Sequence, residues 1–164
     1  MSVVHMRVDN RLIHGQVTIT WVGFVGANHI IVCNDKVSKD PIQKLMLPQA
    51  ARGVKTSVLS IEDTLAHCKS PQGEAEKIMI IAKLPSDALA LMEGGLSPAE
   101  INVGNQAPTP GTDFKMVMKS VAATPEEAAM YRRIQELYGK TLTSRVVSGD
   151  SPVNFLEALR NKGL

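Results

Sequence analysis

Residues 8–22, VDNRLIHGQVTITWV, set Arg11 and His14 on one short polar stretch between two apolar runs. A histidine that is neutral near pH 7 is a competent nucleophile, and its non-reacting nitrogen can be held by a neighbouring acceptor. Arginine presents a planar fork of donors that matches phosphate oxygens. Gly15 and the helix-like run QVTITWVGFV follow His14, so the ring lies at or just before a helix N-terminus. Unpaired amides and the helix dipole favour an anion there. Asp9 and Asn10 are turn formers, and either can orient the imidazole or Arg11 by hydrogen bonding. Phosphoryl transfer asks for in-line positioning and neutralised equatorial oxygens, and this loop carries groups for both. The same residues also suit a surface turn with a structural histidine. Residue types alone therefore lead to an anion-handling loop and stop there.

Other residues offer weaker chemistry. Asn34-Asp35 follows an apolar run and reads either as a site rim or as a turn with Asx hydrogen bonding. Ser86 can donate to a phosphoryl oxygen, but with Asp87 behind it a helix cap is the favoured reading. Gly104 and Asn105 suggest a close backbone approach, because glycine reaches dihedrals other residues avoid. His5, His29 and His67 have no partner at metal-ligand spacing, so they read as structural or solvated and no metal is expected. Cys33 sits inside HIIVC and reads as a buried reduced thiol. No GxxxxGK[ST] or GxGxxG stretch occurs, so no nucleotide cofactor is expected.

The elements that must carry these residues follow from periodicity. Strands are predicted at 3–8, 29–33, 54–60 and 77–83, with weaker ones at 100–103, 114–118 and 141–147. Helices are predicted at 15–25, 38–51, 61–69, 85–94, 125–138 and 151–161. Ser60 and Thr124 supply helix starts, while Gly94-Gly95 and Gly139 supply helix ends. The segments 70–77 and 105–113 read as surface loops. Alternating strand and helix with short connections predicts a single α/β domain over 1–164: a doubly wound, mostly parallel open sheet with helices on both faces. In such a sheet the loops at 9–14, 34–40, 84–87 and 104–113 gather at the carboxyl edge, where ligands bind.

Composition narrows the partners. With 164 residues, 18 Lys+Arg against 16 Asp+Glu and only 4% aromatics, nothing marks a nucleic-acid binder. No basic leader and no span-length apolar run is present, which predicts a cytoplasmic protein. Lys36, Lys39 and Lys44 give one segment a basic face, either solvated or suited to an acidic partner. LMEGGL (91–96) and the last helix are candidate surfaces for a homo-oligomer, although ordinary packing accounts for them too.

The run MRVDNRLIHGQVTITWV resembles the phosphorylation segment of the IIB components of the mannose/sorbose family of the bacterial phosphoenolpyruvate-dependent sugar phosphotransferase system. The matching residues are Arg7, Asp9, Arg11, Leu12, Ile13, His14, Gly15, Gln16, Val17 and Trp21. The resemblance continues through ANHIIVCNDKVSKD, IMIIAKLPSDALALMEGGL and INVGNQ, and the length fits a free-standing IIB chain. It implies that His14 accepts a phosphoryl group from a phosphohistidine of the IIA partner, on Nδ1, and passes it to a sugar bound by the membrane subunits IIC and IID. The sugar would be of the mannose, fructose, sorbose or N-acetylgalactosamine class. Arg11 would neutralise the phosphoryl oxygens, while Asp9, Asn10, Gly15 and Gln16 support the loop and Asp35, Ser86 and Asn105 form a rim. No cofactor or metal is implied, and the chain would meet the permease only transiently. After the last predicted strand the family's V-P-x-D is replaced by VVSGDSPV, with the aspartate at 150 and the proline at 152, so the resemblance says least about that region. Two rivals stand beside this reading. One is a regulatory or binding protein that keeps the fold without carrying phosphate. The other is an unrelated α/β enzyme acting on a small phosphorylated metabolite, which would bring a further acid/base residue and a nucleotide or metal motif.

Overall fold

The computed structural model describes residues 2–164. Its strands are β1 (Val3–Asp9), β2 (His29–Cys33), β3 (Lys55–Leu59), β4 (Ile78–Ala82), β5 (Ile101–Asn105), β6 (Lys115–Met118), β7 (Val121–Ala123), β8 (Thr143–Ser144) and β9 (Val153–Asn154). Seven of them form one sheet in the order β3-β2-β4-β1-β5-β8-β9. All neighbours are parallel except β8 and β9. The helices are α1 (Gly15–Val25), α2 (Asp35–Ser38), α3 (Pro41–Ala50), α4 (Ile61–Lys69), α5 (Pro71–Glu74), α6 (Pro85–Glu93), α7 (Pro125–Tyr138) and α8 (Phe155–Asn161). This is the expected mostly parallel α/β sheet.

Side-chain alternation explains why both faces are covered. Ile31, Cys33, Ile78, Ile80 and Ala82 join one apolar cluster with Leu91 of α6, Ile134 of α7 and Leu159 of α8. Ile30, Val32, Met79 and Ile81 point the other way, into a second cluster with Trp21 and Val22 of α1. Successive strand residues face opposite sides, so a strand buried on both must be apolar throughout. Cys33 is among them, its thiol pushed up to about 12 by burial.

β1 departs from that pattern. Met6 and Val8 enter the first cluster, yet the alternate residues His5, Arg7 and Asp9 are polar and fully buried. They face α1. The Trp21 ring stacks on His5 at 4.8 Å between centroids, and the Arg7 guanidinium lies 4.8 Å from the same ring.

Several predicted elements are redrawn. The helix expected at 38–51 is two, because Asn34 accepts from Val37 N and Asp40 accepts from Ile42 and Gln43 N, giving two starts where one was read. The strand at 114–118 leaves the parallel sheet and pairs with β7 as a separate antiparallel ribbon. Met116 is exposed while the adjacent Val117 is buried, so this strand has one face to bury rather than two. The strand at 141–147 shrinks to two residues, and the last helix starts at Phe155, after Asn154 has paired with β8 and capped Glu157 N. Within the loop expected at 70–77, Ser70 caps the short α5. The apolar side chains of LMEGGL are not exposed, since Leu91, Met92 and Leu96 are buried, and Phe155, Leu156 and Leu159 of α8 are buried too. The caps at Ser60 and Thr124 and the left-handed helix end at Gly139 are present.

The carboxyl-edge loops do assemble. Asn105 Nδ2 donates to Asn10 Oδ1 at 2.7 Å, Gln106 Nε2 donates to the Lys83 carbonyl at 2.8 Å, and Asn34 Nδ2 donates to Asp87 Oδ2 at 2.9 Å.

Candidate active site

The loop after β1 is organised by Asp9. Its Oδ1 accepts from the Arg11 backbone N at 3.0 Å, an Asx turn that stops the strand. The carboxylate then takes the Arg11 guanidinium in a two-point grip, Nε to Oδ1 at 3.1 Å and Nη2 to Oδ2 at 2.9 Å. Asp9 is 1% exposed and Arg11 35%, so a buried anion holds a half-buried cation at the surface. Leu12 turns the chain with φ 64°, a left-handed conformation that costs a branched residue about 1–2 kcal/mol. Its buried side chain, with that of Ile13, anchors the loop in the α1-side cluster.

His14 is the N-cap residue of α1, but its side chain does not cap the helix. Its backbone N donates to Thr18 Oγ1 at 3.1 Å instead. No acidic residue lies in the first turn of α1, so the amides there meet no carboxylate of their own helix. Gly15 has φ +54°, so a side chain there would strain the backbone although the space is open. The His14 ring is 23% exposed, with Nε2 3.9 Å from Asp9 Oδ2. Nε2 is shielded from solvent and without a hydrogen-bond partner, while Nδ1 lies 3.0 Å from the Leu12 carbonyl. His14, Arg11, Asp9 and the open start of α1 thus form one constellation.

Beneath it lies a part that sequence reasoning left without a role. Arg7, 2% exposed, donates Nε to Asp9 Oδ2 at 3.3 Å. Its other nitrogens donate to Asn102 Oδ1 at 2.7 Å and to the carbonyls of Arg145 and Val146 at 3.0 and 2.8 Å. Burial lowers its pKa to about 10, although the Asp9 charge works the other way. Trp21 Nε1 also donates to the Val146 carbonyl, at 3.2 Å. These carbonyls serve Arg7 and Trp21 rather than a ladder, which is why β8 ends at Ser144. Gly104 makes room for this, because a Cβ there would come within 2.1 Å of Arg7 Cζ. The close approach read at Gly104 is therefore to a buried guanidinium.

The remaining predicted residues divide. Asn10 turns away from the imidazole and ties the loop to β5, its Oδ1 accepting from Asn105 Nδ2 and, at 3.3 Å, from Ala107 N. Gln16 is exposed, and its Oε1 accepts from Arg52 Nη1 at 3.4 Å. Asp35 accepts from Ile61 N at 2.9 Å, joining α2 to the start of α4. Ser86 is exposed and is not the cap of α6: Asp87 Oδ2 accepts from Leu84 N at 3.0 Å and performs that task. Burial raises the Asp87 pKa, against its bonds from Asn34 and Leu84.

Residues 3–164 match the family model of the sorbose subfamily IIB component of the phosphotransferase system. The chain belongs to this family. The sorbose-specific EIIB component of Klebsiella pneumoniae is 36% identical over 160 residues, 97% of this chain and 96% of that one. The crystal structure of the IIBSor domain of the sorbose permease from the same organism matches with a TM-score of 0.91 at 34% identity, covering 98% of each chain. The mannose-specific EIIAB component of Escherichia coli (strain K12) is 29% identical over 154 residues, 93% of this chain and 47% of that protein. As a IIB component, this chain is a phosphotransferase of a sugar transport system. Among the described residues no helix is long and apolar enough to cross a membrane.

Proposed function

We propose that this IIB chain is a cytoplasmic phosphocarrier whose His14 takes a phosphoryl group from a phosphohistidine on IIA and delivers it to a sugar held by IIC and IID. The observation that carries the reading is that an accessible imidazole, at an open helix start, and an arginine both meet the one buried carboxylate of Asp9. Nδ1 is the reacting nitrogen, because Nε2 is shielded and faces Asp9. The reactive tautomer carries its proton on Nε2, where the carboxylate favours it, and the ring turns from the Leu12 carbonyl to free the Nδ1 lone pair. A new N–P bond forms as the N–P bond on the donor breaks. Arg11 and the first amides of α1 meet the equatorial oxygens. In the second half the sugar hydroxyl displaces His14 at phosphorus: an O–P bond forms as the N–P bond breaks, and the hydroxyl proton passes to the freed imidazole or to water.

Asp9 does not compete with the phosphoryl group for the solvent-facing side, because it grips Arg11 from beneath. Asn10 and Asn105 hold the loop on β5, and Gly15 lets the chain enter α1. Asp35 and Ser86, at the same edge, are rim residues only. The IIA partner docks on α2 and α3, where Lys36, Lys39 and Lys44 are exposed beside Ile42, Leu45 and Met46. The Arg52–Gln16 hydrogen bond places the end of that surface next to the start of α1. Such a mixed apolar and charged patch suits a transient complex.

The test is phosphorylation by phosphoenolpyruvate, the general phosphotransferase proteins and a mannose-family IIA, read by intact mass. One acid-labile phosphoryl adduct is expected on the wild type, none on His14→Ala, and a much slower one on Arg11→Ala. No adduct from a working, matched IIA would leave the regulatory-protein reading in its place.

A further inference from the structure

At the opposite edge of the sheet from His14, three ligand-type side chains converge from three separate elements. His29 opens β2, His67 lies near the end of α4, and Glu76 follows α5. His29 Nδ1 and His67 Nε2 lie 2.7 and 2.8 Å from the same oxygen, Glu76 Oε2. All three donor atoms lie within 4.8 Å of one another. The two rings meet edge to face, with centroids 5.2 Å apart. His29 is 1% exposed, Glu76 14% and His67 20%.

We propose that His29, His67 and Glu76 form a binding site for one divalent transition-metal ion of the zinc type. Two imidazoles and a carboxylate with room for water in a fourth position are a recognised zinc donor set. Zn–N and Zn–O bonds of about 2.0–2.2 Å put tetrahedral donors about 3.3 Å apart, so the two N···O contacts open by about half an ångström while the two ring nitrogens, within 4.8 Å of each other, close by up to about 1.5 Å. The nitrogen-rich set selects such ions over magnesium or calcium. His29 already has the outer partner that a ligating histidine needs, with Nε2 2.9 Å from Ser57 Oγ. Binding requires no net loss of protons from neutral rings: without a cation each ring donates to Glu76, and on binding the His29 proton moves to Nε2, facing Ser57, and that of His67 to its outer nitrogen.

The scaffold holds the three groups close. Ser70 Oγ donates to the His67 carbonyl at 2.6 Å, and a Cβ on Gly73 would fall 1.9 Å from that carbonyl oxygen, so α5 is pressed onto the end of α4. That contact delivers Glu76 to His67. Lys55 Nζ meets Glu76 Oε1 at 2.5 Å and is 49% exposed. It neutralises the carboxylate when no cation is present and can swing into water when one arrives.

Zinc chloride is titrated into the untagged wild-type protein by calorimetry, and cobalt(II) binding is followed by its visible d–d bands. One equivalent is expected to bind saturably, with a tetrahedral cobalt spectrum and a Tm that rises with zinc concentration. His67→Ala and Glu76→Gln should each weaken binding by more than about tenfold, and Ser57→Ala by about tenfold. Lys55→Gln, on the exposed rim, should tighten it by removing the competing charge. His14→Ala should bind as the wild type does, which separates this site from the phosphoryl site. No saturable binding by the folded wild type overturns the proposal, as does unchanged affinity in both His67→Ala and Glu76→Gln. Either result would make the cluster an internal hydrogen-bond network only.

Discussion

The two edges of the sheet use the same side-chain types in opposite ways. At the carboxyl edge, Asp9, Arg11 and His14 come from six consecutive residues, and the imidazole is tethered only through Nδ1, to the Leu12 carbonyl. At the amino edge, His29, His67 and Glu76 come from distant parts of the chain, and both nitrogens of His29 are engaged. A lone, accessible, under-coordinated imidazole can exchange a group with a passing partner. Three convergent groups with satisfied outer contacts hold one thing in place. The first arrangement suits transfer, the second retention.

Removing the central carboxylate at each edge is the strongest way to break this contrast. Asp9→Ala should cost about 3–5 kcal/mol in urea denaturation, because Arg7 would stay buried without its counter-charge. It should also release Arg11 and abolish phosphoryl acceptance. Glu76→Ala should cost only about 1 kcal/mol, since Glu76 itself and its partners Lys55 and His67 lie nearer water, and leave phosphorylation at the wild-type rate. Equal stability losses at the two edges would erase the distinction. Gly104→Ala comes next: a methyl group forced against the pinned Arg7 should cost about 1–3 kcal/mol and slow phosphorylation through Asp9.

A pH titration sharpens the contrast further. Burial first, then Arg7 and Arg145, bring the His5 pKa from the ordinary 6.5 down to about 3. The unfolded chain therefore takes up that proton before the folded chain does. The contribution is complete above the unfolded value and is lost as pH falls from 6.5 toward 3, at about 1.4 kcal/mol per pH unit. His5→Phe keeps the stacking on Trp21 and should flatten the wild-type decline over this range by that amount. Glu76 responds lower down. Burial pushes its pKa up, but hydrogen bonds from Lys55, His67 and His29 bring it to about 2, so its contribution is present above the ordinary 4.5 and is lost as pH falls from there. An unchanged slope in His5→Phe would mean that the buried column under His14 is not the acid-sensitive part. The smallest effect is at the rim, where Ser86→Ala should stay within about 0.5 kcal/mol and transfer phosphate normally.

Much of the carboxyl edge was legible because its contacts are local. Asp9 bonds the backbone two residues on, Gly15 permits the turn into α1, and Ser60 and Thr124 cap the helices they immediately precede. The apolar runs HIIVC and IMIIA mark strands buried on both faces. Ser86 misled because Asp87, one residue later, satisfies the same helix start from inside its first turn. The strand at 141–147 misled because β-branched residues announce an extended chain without saying what its carbonyls will meet. Here they meet Arg7 and Trp21.

The sequence by itself determined the strand and helix alternation, the turn that exposes Arg11 and His14, and the family to which the chain belongs. The first two rest on hydrogen bonds and periodicities that close within a few residues, and the family on a run of residue identities read in order along the chain. Tertiary structure alone decided that Arg7 would be clasped by Asn102 and the carbonyls of Arg145 and Val146, and that His29, His67 and Glu76 would share one carboxylate oxygen. Those contacts depend on strand order, which sets β5 beside β1 and β4 beside β2. Strand order comes from burying two opposite sheet faces at once, and no short stretch of chain contains that information.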